Sequence, residues 1–380
     1  MPIMQSPPAA VTTLDGRDYL YFAGTGYFGL QADPRVIEAS CEAAKKYGIH
    51  TATSRGGFGE NPVTLEVEKL AADYFGAEDA FYYTTGYAGI SILMQSVERI
   101  FSLALVDSLS HFAVSDGAQF MQAPIVRFAH GDAEHLREML ATHAKPGEPV
   151  MVLCDGVSPV LGDIAPVADY LRVLEAHGPA SLCVDDAHGL GVLGSSGRGT
   201  LEYAGEQSGK PIAINGTGWR DGMSGSLLCT TLSKAIGGFG GIIPGPRDFI
   251  EQVKAKSRWF NGASAPPAPV AGATAAALRI HMNEPAMRQR LHANVSRLKS
   301  ALRSLGLPMD DTPVPIICLE LGDGANMHRI QKALMGQGIL IAHIRSYAGV
   351  GSEGALRIAV FATHTDAMID QLVDALRGVI

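Results

Sequence analysis

From residue 79 to residue 231 the chain alternates between short, continuous apolar runs and amphipathic stretches. AFYYT, SLALVD, PIVRF, VMVLCDG, SLCVDDA and SLLCTT are β-prone and apolar at successive positions, the pattern of strands covered on both faces. Between them AGISILMQSVERI, DAEHLREMLATHA and VADYLRVLEAHG space their apolar residues as helices do. The alternation predicts a largely parallel, doubly wound α/β sheet, which binds its ligands beyond the C-terminal ends of the strands.

The flanks read differently. LDGRDYLYFAG predicts a hairpin around Asp15-Gly16, followed by the turn TGYFGL. Asp33-Pro34 opens a helix that Gly48 stops, the loop TSRGGFGE follows, and Asn61-Pro62 opens a second helix ended by Gly76. Leu201 to Gly225 breaks the rhythm as a polar, glycine-rich loop with no assigned task. Beyond Trp259, SAPPAPVAG begins two long helical stretches (270–282 and 285–305), then VPIICLEL, a helix, GILIAHI, LRIAVF and a final helix. This predicts a smaller α+β C-terminal domain. The expected division is an N-terminal segment 1–45, a large domain 46–265 and a small domain 266–380.

Composition narrows the functional class. With 47% hydrophobic and 18% charged residues, the chain is far from the disordered regime. A formal net charge of −8 and the lack of any basic tract argue against nucleic acid as a partner. No apolar run reaches the ~20 residues that span a bilayer, and MPIMQSPPAA lacks a signal peptide's charged start and apolar core. A cytoplasmic protein without membrane partners is expected. The five cysteines have no disulfide or metal spacing and read as small buried hydrophobes, with no metal site expected.

Candidate chemistry falls at predicted strand ends. In LCTTLSKAIGGFGG, Lys234 follows a buried strand among the apolar Leu228, Leu232, Ile236 and Phe239. Most lysines are solvated, but one desolvated in this way becomes a usable nucleophile or Schiff-base former. Thr231 and Ser233 place two hydroxyls beside it. TTGYAG, with Gly86 and Tyr87, opens a helix and offers N–H groups to an anion such as phosphate. His111 lies just past the strand SLALVD. In CVDDAHGLGVLGSSGRG, strand alternation sends Asp185 and Asp186 to opposite faces, so one at most serves a site; His188 follows. Gly189, Gly191 and Gly194 spell GxGxxG, but a loop rather than a helix follows them, so the dinucleotide reading is rejected. Arg357 in the apolar run LRIAVF is costly unless it clamps a carboxylate or pairs with an acid between domains. A phosphate site, a carboxylate for a ring nitrogen, a histidine for a flat face and an amine for an aldehyde together describe pyridoxal 5'-phosphate. Arg357 is then left for an amino-acid carboxylate.

VDDAHGLGVLGSSGRGT and TTLSKAIGGFGG, with YLYFAGTGYFGL near the start and LRIAVFATHTDAMIDQLVDAL at the end, resemble the α-oxoamine synthases of the fold-type I pyridoxal-phosphate enzymes. That group includes 8-amino-7-oxononanoate synthase, 2-amino-3-ketobutyrate ligase, serine palmitoyltransferase and 5-aminolevulinate synthase; DDAHG is closest to the oxononanoate synthases. The resemblance implies that Lys234 carries the cofactor as a Schiff base, that Asp185 pairs with the pyridinium nitrogen, that His188 bonds the phenolic oxygen and that His111 stacks on the ring. It implies a phosphate site from Gly86, Tyr87, Thr231 and Ser233, a substrate carboxylate at Arg357, and a homodimer with shared active sites. The implied reaction is a decarboxylative condensation of an amino acid with an acyl thioester, carried by CoA or acyl carrier protein, to give an α-aminoketone. An aminotransferase on the same fold, or a non-catalytic pyridoxal-phosphate-binding regulator, would use the same cofactor residues. The chain departs from the family pattern at Thr25 (asparagine), Thr64 (histidine), Pro159 (serine, with Ser158 adjacent), Ala355 (arginine) and Asp155 (glutamate). Thr25 and Ser158 are therefore candidate substrate contacts, and the differences fall on substrate positions rather than cofactor positions.

Overall fold

The computed structural model describes residues 2–214, 225–347 and 349–380. Two sheets organise them. The larger contains β3 (Asp79–Tyr83), β4 (Leu103–Asp107), β5 (Ile125–Phe128), β6 (Val150–Asp155), β7 (Ala180–Asp185), β8 (Gly225–Thr231) and β9 (Gly241–Gly245), in the order β3-β9-β8-β7-β6-β4-β5. The pairs of β4 with β5 and β6, of β6 with β7 and of β7 with β8 are parallel, whereas β9 runs antiparallel between β3 and β8. This is the mostly parallel sheet that the apolar runs predict, and β4, β7 and β8 are buried along their whole length. Its helices, among them Gly89–Ser96, Ala133–His143 and Val167–His177, follow the strands as the alternation requires.

The smaller sheet joins β1 (Val11–Leu14), β2 (Arg17–Phe22), β10 (Ile316–Leu319), β11 (Ile339–Ile344) and β12 (Ala355–Ala359) in the order β1-β2-β11-β12-β10. The N-terminal hairpin therefore completes a C-terminal sheet, β2 lying parallel to β11 with Leu20 opposite Ile339. Asp15 and Gly16 take positive φ at its tip, as a tight hairpin requires. The helices Pro34–Tyr47 and Pro62–Phe75 begin where expected, with Asp33 and Asn61 accepting from the Arg35 and Val63 N–H groups. The first packs on helix Ala268–Asn283 so closely that a Cβ on Gly272 would sit 2.6 Å from that of Ala43.

Three sequence expectations change. The supposed loop 201–225 contains the helix Thr200–Ser208, whose inner face buries Leu201 and Ala204; its glycines serve as cap and packing positions, and residues 215–224 lie outside the described residues. GIIPG, hidden in a glycine-rich run, is the strand β9. Two helices after strands escaped the pattern: the short Phe112–Ala118 and the amphipathic Arg247–Lys256. No helix among the described residues is long and apolar enough to cross a membrane, and no group of three or more histidine, cysteine or acidic residues could hold a metal.

Candidate active site

A cavity of about 230 Å³ opens at the C-terminal ends of β3, β4, β6, β7 and β8. It brings together Gly86, Tyr87, His111, Asp185, His188, Thr231, Ser233 and Lys234. Larger cavities elsewhere contain no comparable set; that of about 550 Å³ lies behind the helix Thr200–Ser208.

Lys234 stands in the loop joining β8 to β9. Leu232 N–H donates to Gly240 O (2.9 Å), Gly238 N–H to Leu232 O (2.9 Å) and Gly237 N–H to Lys234 O (3.0 Å). Gly237 has φ +71, and a Cβ there would meet the Gln31 nitrogen at 2.6 Å, so the close turn needs glycine. Leu228, Leu232 and Ile236 anchor the loop in the core, while Phe239 is 54% exposed and does not shield the lysine. The amine is turned into the cavity, where burial lowers its pKa to about 8 against the pull of Asp185 and Asp155. These balancing charges come from neighbouring strands, which is why the local sequence shows none.

Asp185 and Asp186 separate as strand alternation requires. Asp186 turns away and accepts from Thr200 N–H (2.8 Å) and Thr200 Oγ1 (2.5 Å). Asp185 faces the cavity, 7% exposed, and among the described residues accepts only the Ala187 N–H, at 3.2 Å. Burial pushes it up to about 6, with Lys234 as the opposing cation. Register pairs Asp155 with Asp185 across β6 and β7; burial and Asp185 hold Asp155 well above the usual carboxylate range, and its Oδ2 accepts His111 N–H at 2.6 Å.

His111 caps the helix Phe112–Ala118, its Nδ1 accepting Ala113 N–H at 3.0 Å. That contact fixes the ring over the cavity, and burial followed by Lys234 lowers its pKa. His188 is buried, with Nε2 3.0 Å from Lys234 Nζ and Nδ1 2.7 Å from the Tyr27 hydroxyl. At the opposite end Thr231 Oγ1 donates to Gly240 O (3.0 Å) and lies 2.7 Å from Ser233 Oγ. A Cβ on Gly86 would come within 2.5 Å of Thr231 Cβ, so only glycine lets the helix opening meet this hydroxyl pair.

Arg357 is buried in β12. Its Nε donates to Pro159 O (2.9 Å) and Nη1 to Gly24 O (3.0 Å), whereas Nη2 is buried without a partner. It thus donates to carbonyls and lies beside the Tyr27 hydroxyl, and among the described residues no carboxylate pairs with it. Neither Arg357 nor the two remaining candidates line the cavity. Ser158 Oγ accepts Leu161 N–H within its own loop, and the adjacent Pro159 lines the cavity instead; Thr25 is half-buried beside Gly24. Sequence reasoning missed Tyr27, Thr85 and Gly240, and read Phe239 only as an apolar flank of Lys234. Thr85 adjoins a glycine turn already singled out, but Tyr27 carries no signal in an apolar turn.

The residues fit pyridoxal phosphate on physical grounds. A buried carboxylate has no hydrogen-bonded cation among the described residues, hydroxyls and N–H groups converge at a helix opening, an amine is desolvated, and a guanidinium nitrogen is unpaired. GxGxxG, by contrast, forms loop turns with Gly191 and Gly194 at positive φ, ahead of a helix that starts only at Thr200.

Comparison with known proteins agrees. The aminotransferase class I and II family model matches residues 23–376. The 8-amino-7-oxononanoate synthases of Alkalilimnicola ehrlichii and Methylococcus capsulatus are each 33% identical, covering 97% and 98% of this chain and 90% and 92% of their own. Serine palmitoyltransferase from Sphingomonas wittichii superposes with a TM-score of 0.89 at 26% identity, covering 100% of this chain and 91% of its own. A pyridoxal-phosphate-bound serine palmitoyltransferase reaches 0.90, also at 26% identity, covering 100% and 92%. The chain belongs to the aminotransferase class I and II family and, within it, to the α-oxoamine synthases with the fold-type I pyridoxal-phosphate architecture.

Proposed function

We propose that the protein condenses an amino acid with an acyl thioester, releasing carbon dioxide and the thiol and forming an α-aminoketone. The observation that carries this reading is the convergence of Lys234, Asp185, His188 and His111 on one cavity, with an unpaired nitrogen of Arg357 close by. Bound pyridoxal phosphate supplies the electron-withdrawing ring that makes the substrate's α-proton acidic. Asp185 would hold a proton on the ring nitrogen, His111 would cover one face, and Thr231, Ser233 and the Gly86 turn would receive the phosphate. Arg357 takes the amino-acid carboxylate. Lys234 would hold the cofactor's aldehyde and, as a free amine, would take the substrate's α-proton; the α-carbon would then bond to the thioester carbonyl carbon as the thiolate leaves. Loss of the carboxylate as carbon dioxide and reprotonation complete the balance.

Pro159 supports a substrate unlike that of the relatives. It lines the cavity where the family pattern has serine, so one hydroxyl near the reacting groups is replaced by an apolar ring. A homodimer belongs to the same proposal: Tyr87, Phe112 and Phe239 are 47%, 56% and 54% exposed around the cavity, an apolar rim suited to a second copy.

The test is incubation of the holoenzyme with single amino acids and acyl-CoAs. Stoichiometric free thiol and carbon dioxide support the condensation, whereas ketoacid formation without thiol would show amino-group transfer and sink it. Arg357→Ala should weaken amino-acid binding about 10–100-fold, the effect of a lost charge-assisted carboxylate pair. Spectral titration checks this, and equal affinity would place the carboxylate elsewhere.

A further inference from the structure

Tyr27 lies in the turn after β2 and is wholly buried, its carbonyl held by Ala362 N–H at 2.7 Å. Its hydroxyl is 2.7 Å from His188 Nδ1, and its other polar neighbour is the Arg357 guanidinium. A guanidinium only donates, so the phenolic proton has one acceptor available, the imidazole nitrogen. We propose that Tyr27 is a positioning residue: its hydroxyl donates to His188 Nδ1 and holds the imidazole as the tautomer whose Nε2–H is aimed at the reactive end of Lys234.

Three observations support the assignment. Burial pushes the Tyr27 phenol up to about 12, so it keeps its proton through the neutral range. Burial, aided by Lys234, Arg357 and His111, holds His188 well below the usual histidine range, so the ring is neutral and has one N–H to place. With Nδ1 occupied as acceptor, that N–H is Nε2, 3.0 Å from Lys234 Nζ, an arrangement met when Lys234 carries no ammonium proton, above its pKa of about 8 or once its amine is bound. Tyr27 also stands between Arg357 and His188, so the substrate-carboxylate group and the reactive amine share one neighbour.

The tautomer follows from the protein alone; its effect on the holoenzyme rests on the cofactor reading above. There the fixed N–H stabilises the cofactor's phenolic oxygen as an anion, lowering the pH midpoint of the visible absorbance. Asp185, Asp155, Arg357 and His111 face the same groups and are unchanged in the test. Tyr27→Phe should raise that midpoint by about one unit, and the same substitution in a His188→Asn background should not move it. An unchanged midpoint in the single variant, or an equal shift in both backgrounds, would overturn the proposal. Nitrogen-15 shifts of the histidines supply a second measurement. The wild-type holoenzyme should show His188 protonated at Nε2 alone, and Tyr27→Phe should lose that single form. Protonation at Nδ1 in the wild type would also overturn the proposal. If no visible band forms at all, the cofactor reading fails, while the nitrogen shifts still decide the tautomer.

Discussion

Lys234→Ala yields a folded protein to which borohydride no longer fixes the cofactor, and condensation falls by at least about 10⁴-fold. One residue would supply both effects because the proposed reaction gives its amine two tasks at different stages. Before substrate arrives, a pKa lowered from 10.5 to about 8 gives the desolvated amine a far larger neutral fraction near neutral pH than an ordinary lysine, the form that would hold an aldehyde. Once freed, it would be a base held in the same loop, beside the substrate. The fold survives because the loop is closed by backbone bonds of Leu232, Gly237 and Gly238 rather than by the side chain.

Stability of the cofactor-free protein gives an independent check on Lys234. A lysine lowered from 10.5 to about 8 disfavours folding fully below pH 8, and the penalty fades as pH rises towards 10.5. Removing it should leave the variant at least as stable as wild type at pH 7, read from urea midpoints. Lys234→Arg should lose the linkage as alanine does, since a guanidinium stays protonated. An unchanged visible spectrum in Lys234→Ala would remove the basis for the functional reading.

Much of this site was legible in the chain because strand-end chemistry is local. Asp185 and Lys234 each end or follow an apolar run, and period-two alternation alone separates Asp185 from Asp186. What was not legible depends on register and distance. The pairing of Asp155 beside Asp185 comes from alignment of β6 with β7, and the Tyr27 contact joins residues 161 positions apart. Arg357 meets the carbonyls of Pro159 and Gly24, and no sequence period encodes a partner made of backbone. The strand β9 was masked by the glycines that precede it, and the helix Thr200–Ser208 by glycines and polar residues on its outer side.

Asp185→Asn should retain cofactor yet lose about 10²- to 10³-fold in turnover, the rate equivalent of removing one partner of a buried ion pair worth about 3–5 kcal/mol. The carboxylate's environment explains the size. Asp185 is buried, makes a single long contact with Ala187 N–H, and is pushed up to about 6 by burial, so it is held without a full partner. A protonated ring nitrogen would complete that pair; an asparagine amide would not hold the proton, and the ring would then withdraw electrons less strongly. The neighbouring substitution Asp186→Asn provides the contrast. It weakens the contacts to Thr200 N–H and Oγ1 on the far side of the strand, so it should lower the urea midpoint while leaving the visible spectrum and its response to amino acids intact. Steady-state rates and spectra of the two variants separate the roles. Full turnover in Asp185→Asn would mean that the ring nitrogen is held by another group. A spectral change in Asp186→Asn as large as that in Asp185→Asn would mean that both acids act through the stability of the strand end.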